Sequence, residues 1–103
     1  MDSVIVFFGE ASFDEVEREA TKYGFSEGTV SRGSEHFYLW RYPEETIRAE
    51  HELDEIHFLH RVLGSKISSV FQVASPHGPN ARLAIQVVRS LMSSFKPSVL
   101  GCV

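Results

Sequence analysis

The hydrophobic pattern begins with five consecutive apolar residues, Val4-Ile5-Val6-Phe7-Phe8, and breaks at Gly9. A run without polar alternation predicts a strand buried on both faces, hence a central one. The period then changes. Ser12-x-x-Glu15 is a capping box, in which hydroxyl and carboxylate close the first helical turn. Phe13, Val16, Ala20 and Tyr23 follow at helical spacing, and Gly24 supplies a stop. The other face of this helix carries Asp14, Glu15, Glu17, Arg18 and Lys22, with Asp14 and Arg18 spaced as an i, i+4 ion pair.

Thr29-Val30-Ser31 and His36–Tyr42 flank Arg32-Gly33-Ser34, which reads as a hairpin turn. The second arm alternates, with Phe37 and Leu39 on one side and Tyr38, Trp40 and Tyr42 on the other. From about Ile47 to Leu63 the spacing of Leu53, Ile56, Leu59, His60 and Leu63 predicts a second helix. Ser69–Ala74 reads as a strand and Ser75–Asn80, with two prolines and a glycine, as a loop. Ala81, Ala84, Ile85, Val88, Leu91, Met92 and Phe95 define a third, amphipathic helix. Pro97 ends it, and Ser98–Val103 reads as a short last strand.

The order β-α-β-β-α-β-α-β predicts an α+β (α/β-like) fold: a single mixed sheet of about five strands with three helices. The closing strand–helix–strand unit has a parallel pair with a right-handed crossover as its default. A chain of 103 residues, 43% hydrophobic and with eight Phe, is expected to form one domain, 1–103, with a substantial core.

Charge changes the picture most. All fourteen carboxylates lie between Asp2 and Glu55, against five Lys/Arg; from Ile56 onward there are five Lys/Arg and no carboxylate. The net charge of −4 hides that split. An acidic half suits a basic protein partner and disfavours non-specific nucleic-acid binding, which needs Lys/Arg to displace counterions. The lone Cys102 excludes an internal disulfide framework or a multi-cysteine zinc site. No stretch reaches the length of a membrane span, and Met1-Asp2-Ser3 carries an acid where a signal peptide carries positive charge. The expectation is a soluble, cytoplasmic protein.

No dinucleotide, phosphate-loop, zinc-protease or nucleophile-elbow motif is present. His51, His57 and His60 sit close together in the second helix, with Asp54 three residues before His57. That spacing can bring two side chains to one metal, but matching ligands on a facing helix are missing from the pattern, and His60 shares an apolar face. No metal, cofactor or catalytic residue is therefore assigned. Cys102, in a terminal strand, reads as a small apolar residue.

The C-terminal third carries Val70-Phe71-Gln72-Val73-Ala74-Ser75, then His77-Gly78, then Ala81-x-x-Ala84 and a helix closing at Phe95, then Ser98-Val99-Leu100. This resembles the C-terminal part of small bacterial toxin-immunity proteins, including the cytoplasmic immunity proteins of contact-dependent growth inhibition. The resemblance covers about thirty-five residues. It implies a non-catalytic inhibitor that binds one toxin domain, often a basic nuclease, and occludes its active site, as a monomer or as a heterodimer with the toxin. On the residues themselves, the partner contacts expected are the carboxylates Asp14, Glu15, Glu17, Glu45, Glu52 and Glu55, with Tyr38, Trp40 or Tyr42 as aromatic anchor. Two other readings stay open: a small enzyme or ligand-binding domain with its site at Ser75–Asn80 and His57/His60, and a homo-oligomer using the last strand as an edge.

Overall fold

The computed structural model describes residues 2–42, 61, 67–76 and 81–102. Its elements are β1 (Asp2–Phe8), α1 (Phe13–Ala20), β2 (Phe25–Ser26), β3 (Thr29–Arg32), β4 (Glu35–Arg41), β5 (Ser69–Ser75), α2 (Arg82–Ser94) and β6 (Ser98–Cys102). The elements of the described residues are six strands and two helices; of the helix expected over about 47–63 only Arg61, which is helical, lies among the described residues.

The strands form one sheet in the order β2-β3-β4-β5-β1-β6, and every neighbouring pair is antiparallel. This corrects the expectation of a mixed sheet with a parallel closing pair. β5 and β6 do run the same way, but β1 lies between them and hydrogen-bonds to both. The physical reason is β1 itself. Its uninterrupted apolar run needs a neighbour on each edge and cover on each face, and Ile5, Val6, Phe7 and Phe8 are all buried.

Both helices cover one face of the sheet. Val16 and Ala20 of α1, with Leu83, Ala84, Val87, Val88 and Leu91 of α2, pack on Val6, Phe8, Val30, Phe37, Leu39, Phe71 and Val73. Phe71 anchors this core edge-on, with ring centroids 6.1 Å from Phe8 and 5.4 Å from Phe13. On the other face Ile5, Phe7, Tyr42 and Val70 form a second buried cluster with Ile67 and Val99. The buried Ser69 hydroxyl donates to the Ala11 carbonyl at 2.7 Å, which satisfies it and fixes the entry to α1.

Local signals act as the sequence predicts at α1. Ser12 Oγ accepts from the Glu15 N–H and the Glu15 carboxylate accepts from the Ser12 N–H, both at 3.2 Å. The helix tightens into a 3-10 turn over Thr21–Tyr23 and stops at Gly24, whose φ is 99°. A Cβ there would stand 2.5 Å from the Ser31 carbonyl oxygen, so only glycine fits.

Two features depart from the pattern. β2 was not expected: Phe25-Ser26 pairs with Thr29-Val30 through a turn at Glu27 and Gly28, both with positive φ. That geometry matches the right-handed twist of paired strands, and the Glu-Gly dipeptide is its only sequence signal. Ile85, placed on the apolar face of α2 by its spacing, is 52% exposed, while Leu83 and Val87 are buried instead. The buried face of α2 is turned by about one residue from the one read off the sequence, because α2 seats its 83–84–87–88–91 ridge on the sheet.

Ala81 gives α2 no side-chain cap. Glu35, at the start of β4, supplies it instead: its Oε2 accepts from the Leu83 N–H at 3.1 Å. Replacing Glu35 by Ala removes both the acceptor and the negative charge at the helix N-terminus. The expected loss is about 1 kcal/mol of unfolding free energy in urea titration. Glu35→Gln, which keeps an acceptor, should lose less.

Candidate functional site

β4 carries two rows of side chains, one on each face of the sheet. Its helix-facing row is Glu35, Phe37, Leu39 and Arg41; its outward row is His36, Tyr38 and Trp40. The outward row is a ladder of rings. His36 meets Tyr38 edge-on at 5.6 Å, and Tyr38 stacks on Trp40 at 4.9 Å with only 13° between planes. Trp40 is 42% exposed. The indole has a fixed seat. Tyr38 lies against one face, and a Cβ on Gly28 would come within 3.0 Å of Cδ1 and 3.1 Å of Nε1. Gly28 is held there by its carbonyl, which accepts from the Leu39 N–H at 2.9 Å. The turn that ends β2 thus makes room for the one large aromatic side chain left exposed among the described residues.

Tyr42 does not belong to this row. It is buried in the second cluster, and its backbone N–H donates to Val70 O at 2.8 Å. Of the three aromatics expected as partner contacts, Tyr38 and Trp40 are brought together and Tyr42 is taken into the core. It keeps the outward direction of the alternation, but at that point of the sheet it packs with Ile5, Phe7 and Val70 and is buried instead of facing water.

The carboxylates of α1 behave differently from the expectation of a free acidic face. Arg41 gathers two of them. Its Nε and Nη2 form a fork on Glu17, at 3.1 Å and 2.6 Å, and Nη2 also reaches Asp14 at 2.8 Å. The guanidinium lies 5.1 Å from the centroid of the Phe13 ring, a cation–π contact. Asp14 therefore pairs across to the sheet rather than along its own helix to Arg18. The hydrogen bonds that Arg41 donates to Glu17, then the one to Asp14, hold its guanidinium above the ordinary range despite some desolvation. Glu15 is engaged in the capping box and Glu19 pairs with Lys22 at 3.0 Å.

Asp14 and Glu17 thus sit on the helix-covered side of the sheet, and the aromatic row sits on the other. An exposed acid, Glu27, precedes Gly28 in the turn that abuts Trp40; sequence reasoning missed it, and its signal was the same Glu-Gly dipeptide. Glu45, Glu52 and Glu55, as well as His51, His57 and His60, lie outside the described residues. So do His77–Asn80, while Ser75 is buried at the end of β5. Among the described residues no group of three His, Cys, Asp or Glu lies close enough to hold a metal, and no helix is long and apolar enough to cross a membrane.

No protein-family model matches the chain, and neither the curated proteins nor the solved structures contain a match to it.

Arg41 is half exposed, so its ion pairs are screened and their worth is small. Arg41→Ala should cost about 1 kcal/mol or less, with the deficit shrinking as salt rises in thermal or urea unfolding. Arg41→Lys should recover little, because an ammonium cannot form the fork on Glu17.

Proposed function

We propose that this protein is a non-catalytic inhibitor of the immunity type, which binds a basic toxin domain and occludes its active site. The stacked Tyr38–Trp40 pair carries the reading. Rigid aromatics that are already stacked lose little rotamer freedom on binding, and Trp and Tyr dominate the energetics of protein interfaces.

The acidic half of the chain supports the same reading through steering. The exposed Glu27 precedes Gly28, the residue that abuts Trp40, and the acids Glu45, Glu52 and Glu55 follow β4 in sequence. Together they would draw in a Lys/Arg-rich surface and raise its association rate. Asp14, Glu15 and Glu17 contribute to the overall negative field. Their local partners, Arg41 and Ser12, reduce what each would add as a direct contact.

Co-expression with the C-terminal domain of a large secreted protein encoded beside this chain tests the reading, with host survival and co-purification as readouts. Rescue together with a stable complex is the expected result; neither rescue nor a complex would sink it. Within such a complex Trp40→Ala should weaken binding about thirtyfold, the scale of a hot-spot residue. Reversing Glu27, Glu45, Glu52 and Glu55 to Lys should slow association and flatten its salt dependence.

A further inference from the structure

Between α2 and the sheet, on the side toward β6, lies a cavity of about 440 Å³. Its size is within the ~300–1,000 Å³ usual for small-molecule sites. Val4 and Val73 form its floor and Ala84, Val88 and Met92 its helical wall. Among the described residues none that lines it is aromatic. The cavity is partly open, and its mouth explains two surface anomalies at once. Ile85 and Leu100, each 52% exposed, both line it. The helix turn that displaced Ile85 from the core therefore left it at the rim of a concave apolar site.

Among the described residues one charged side chain lines the cavity, Arg89. It is exposed and makes no ion pair among the described residues. Arg82 and Lys96, the other ionisable groups on α2 and just after it, carry the same sign as Arg89; on the sheet side the acid adjoining the lining residues is Asp2, next to Ser3 and paired in register with Ser75. Glu35, the acid nearest α2, is engaged at the Leu83 N–H. Aliphatic walls favour a flexible hydrocarbon over a planar ring, and a lone guanidinium at the mouth favours a carboxylate head.

We propose that this cavity binds a linear aliphatic carboxylate, with its chain against Val4, Val73 and Val88 and its head at Arg89. The site lies on the helix-covered face of the sheet, opposite the aromatic row, and is independent of the toxin-binding reading. Titration calorimetry of the full chain with hexanoate, octanoate and decanoate, below their micellar concentrations, tests it. Binding should be one to one and tighten about fourfold per added methylene until the cavity is filled. Arg89→Gln, a surface change that leaves the core intact, should weaken octanoate about fivefold and leave 1-octanol unchanged. Ala84→Phe should fill the cavity and abolish binding of both. Should that variant fail to fold, the chain-length series and Arg89→Gln decide alone. Absence of saturable binding, or an octanoate affinity indifferent to chain length and to Arg89→Gln, overturns the proposal.

Discussion

The strict two-residue period of β4 is the constraint on which the rest depends. Facing the helices, the strand ends in opposite charges. Glu35 caps α2, Arg41 clamps α1 through Glu17 and Asp14, and Phe37 and Leu39 fill the core between them. Facing outward, the same seven residues stack His36, Tyr38 and Trp40. A slip of one residue in register would exchange the two rows: rings would face the helices, and both helix anchors would face away. The Gly33-Ser34 turn and the apolar identity of Phe37 and Leu39 hold that register.

The division of labour across the sheet also reorganises the charge pattern. Among the described residues, three acids of the acidic half are engaged in contacts between elements. Arg41 draws α1 acids inward, and Glu35 crosses to α2, so part of the acidic excess is spent on holding layers together. What remains for a partner is smaller and more local than the count of carboxylates implies. In the proposed function the aromatic pair therefore carries more of the argument than the charge does.

The elements legible in sequence were those specified within a few residues. The capping box of α1, the stop at Gly24, the hairpin at Gly33 and the buried row of β4 each rest on short-range rules, and each stands in the structure. What was not legible depends on distant partners. Nothing near Val4–Phe8 says that β5 and β6 will flank it, so the antiparallel sheet was missed. Nothing near Asp14 points to Arg41 rather than Arg18, and helical periodicity alone cannot tell a core position from a rim position at Ile85. Within the candidate site, Tyr38 and Trp40 followed from alternation. The burial of Tyr42 and the seat provided by Gly28 required the assembled sheet.

The place of β1 has a consequence for how the molecule comes into being. The first of the six described strands to be synthesised pairs with the last two, through registers that join Phe7 to Val70 and to Val99. Its apolar residues must wait unpaired until most of the chain has been made. Loop closure over such separations is slow, and nascent chains with exposed strand edges are prone to associate. The α1 segment and the β2–β3–β4 meander, whose contacts are local, can form during that delay. The central strand would then be inserted last, so the final step of folding completes the core on both faces of the sheet at once.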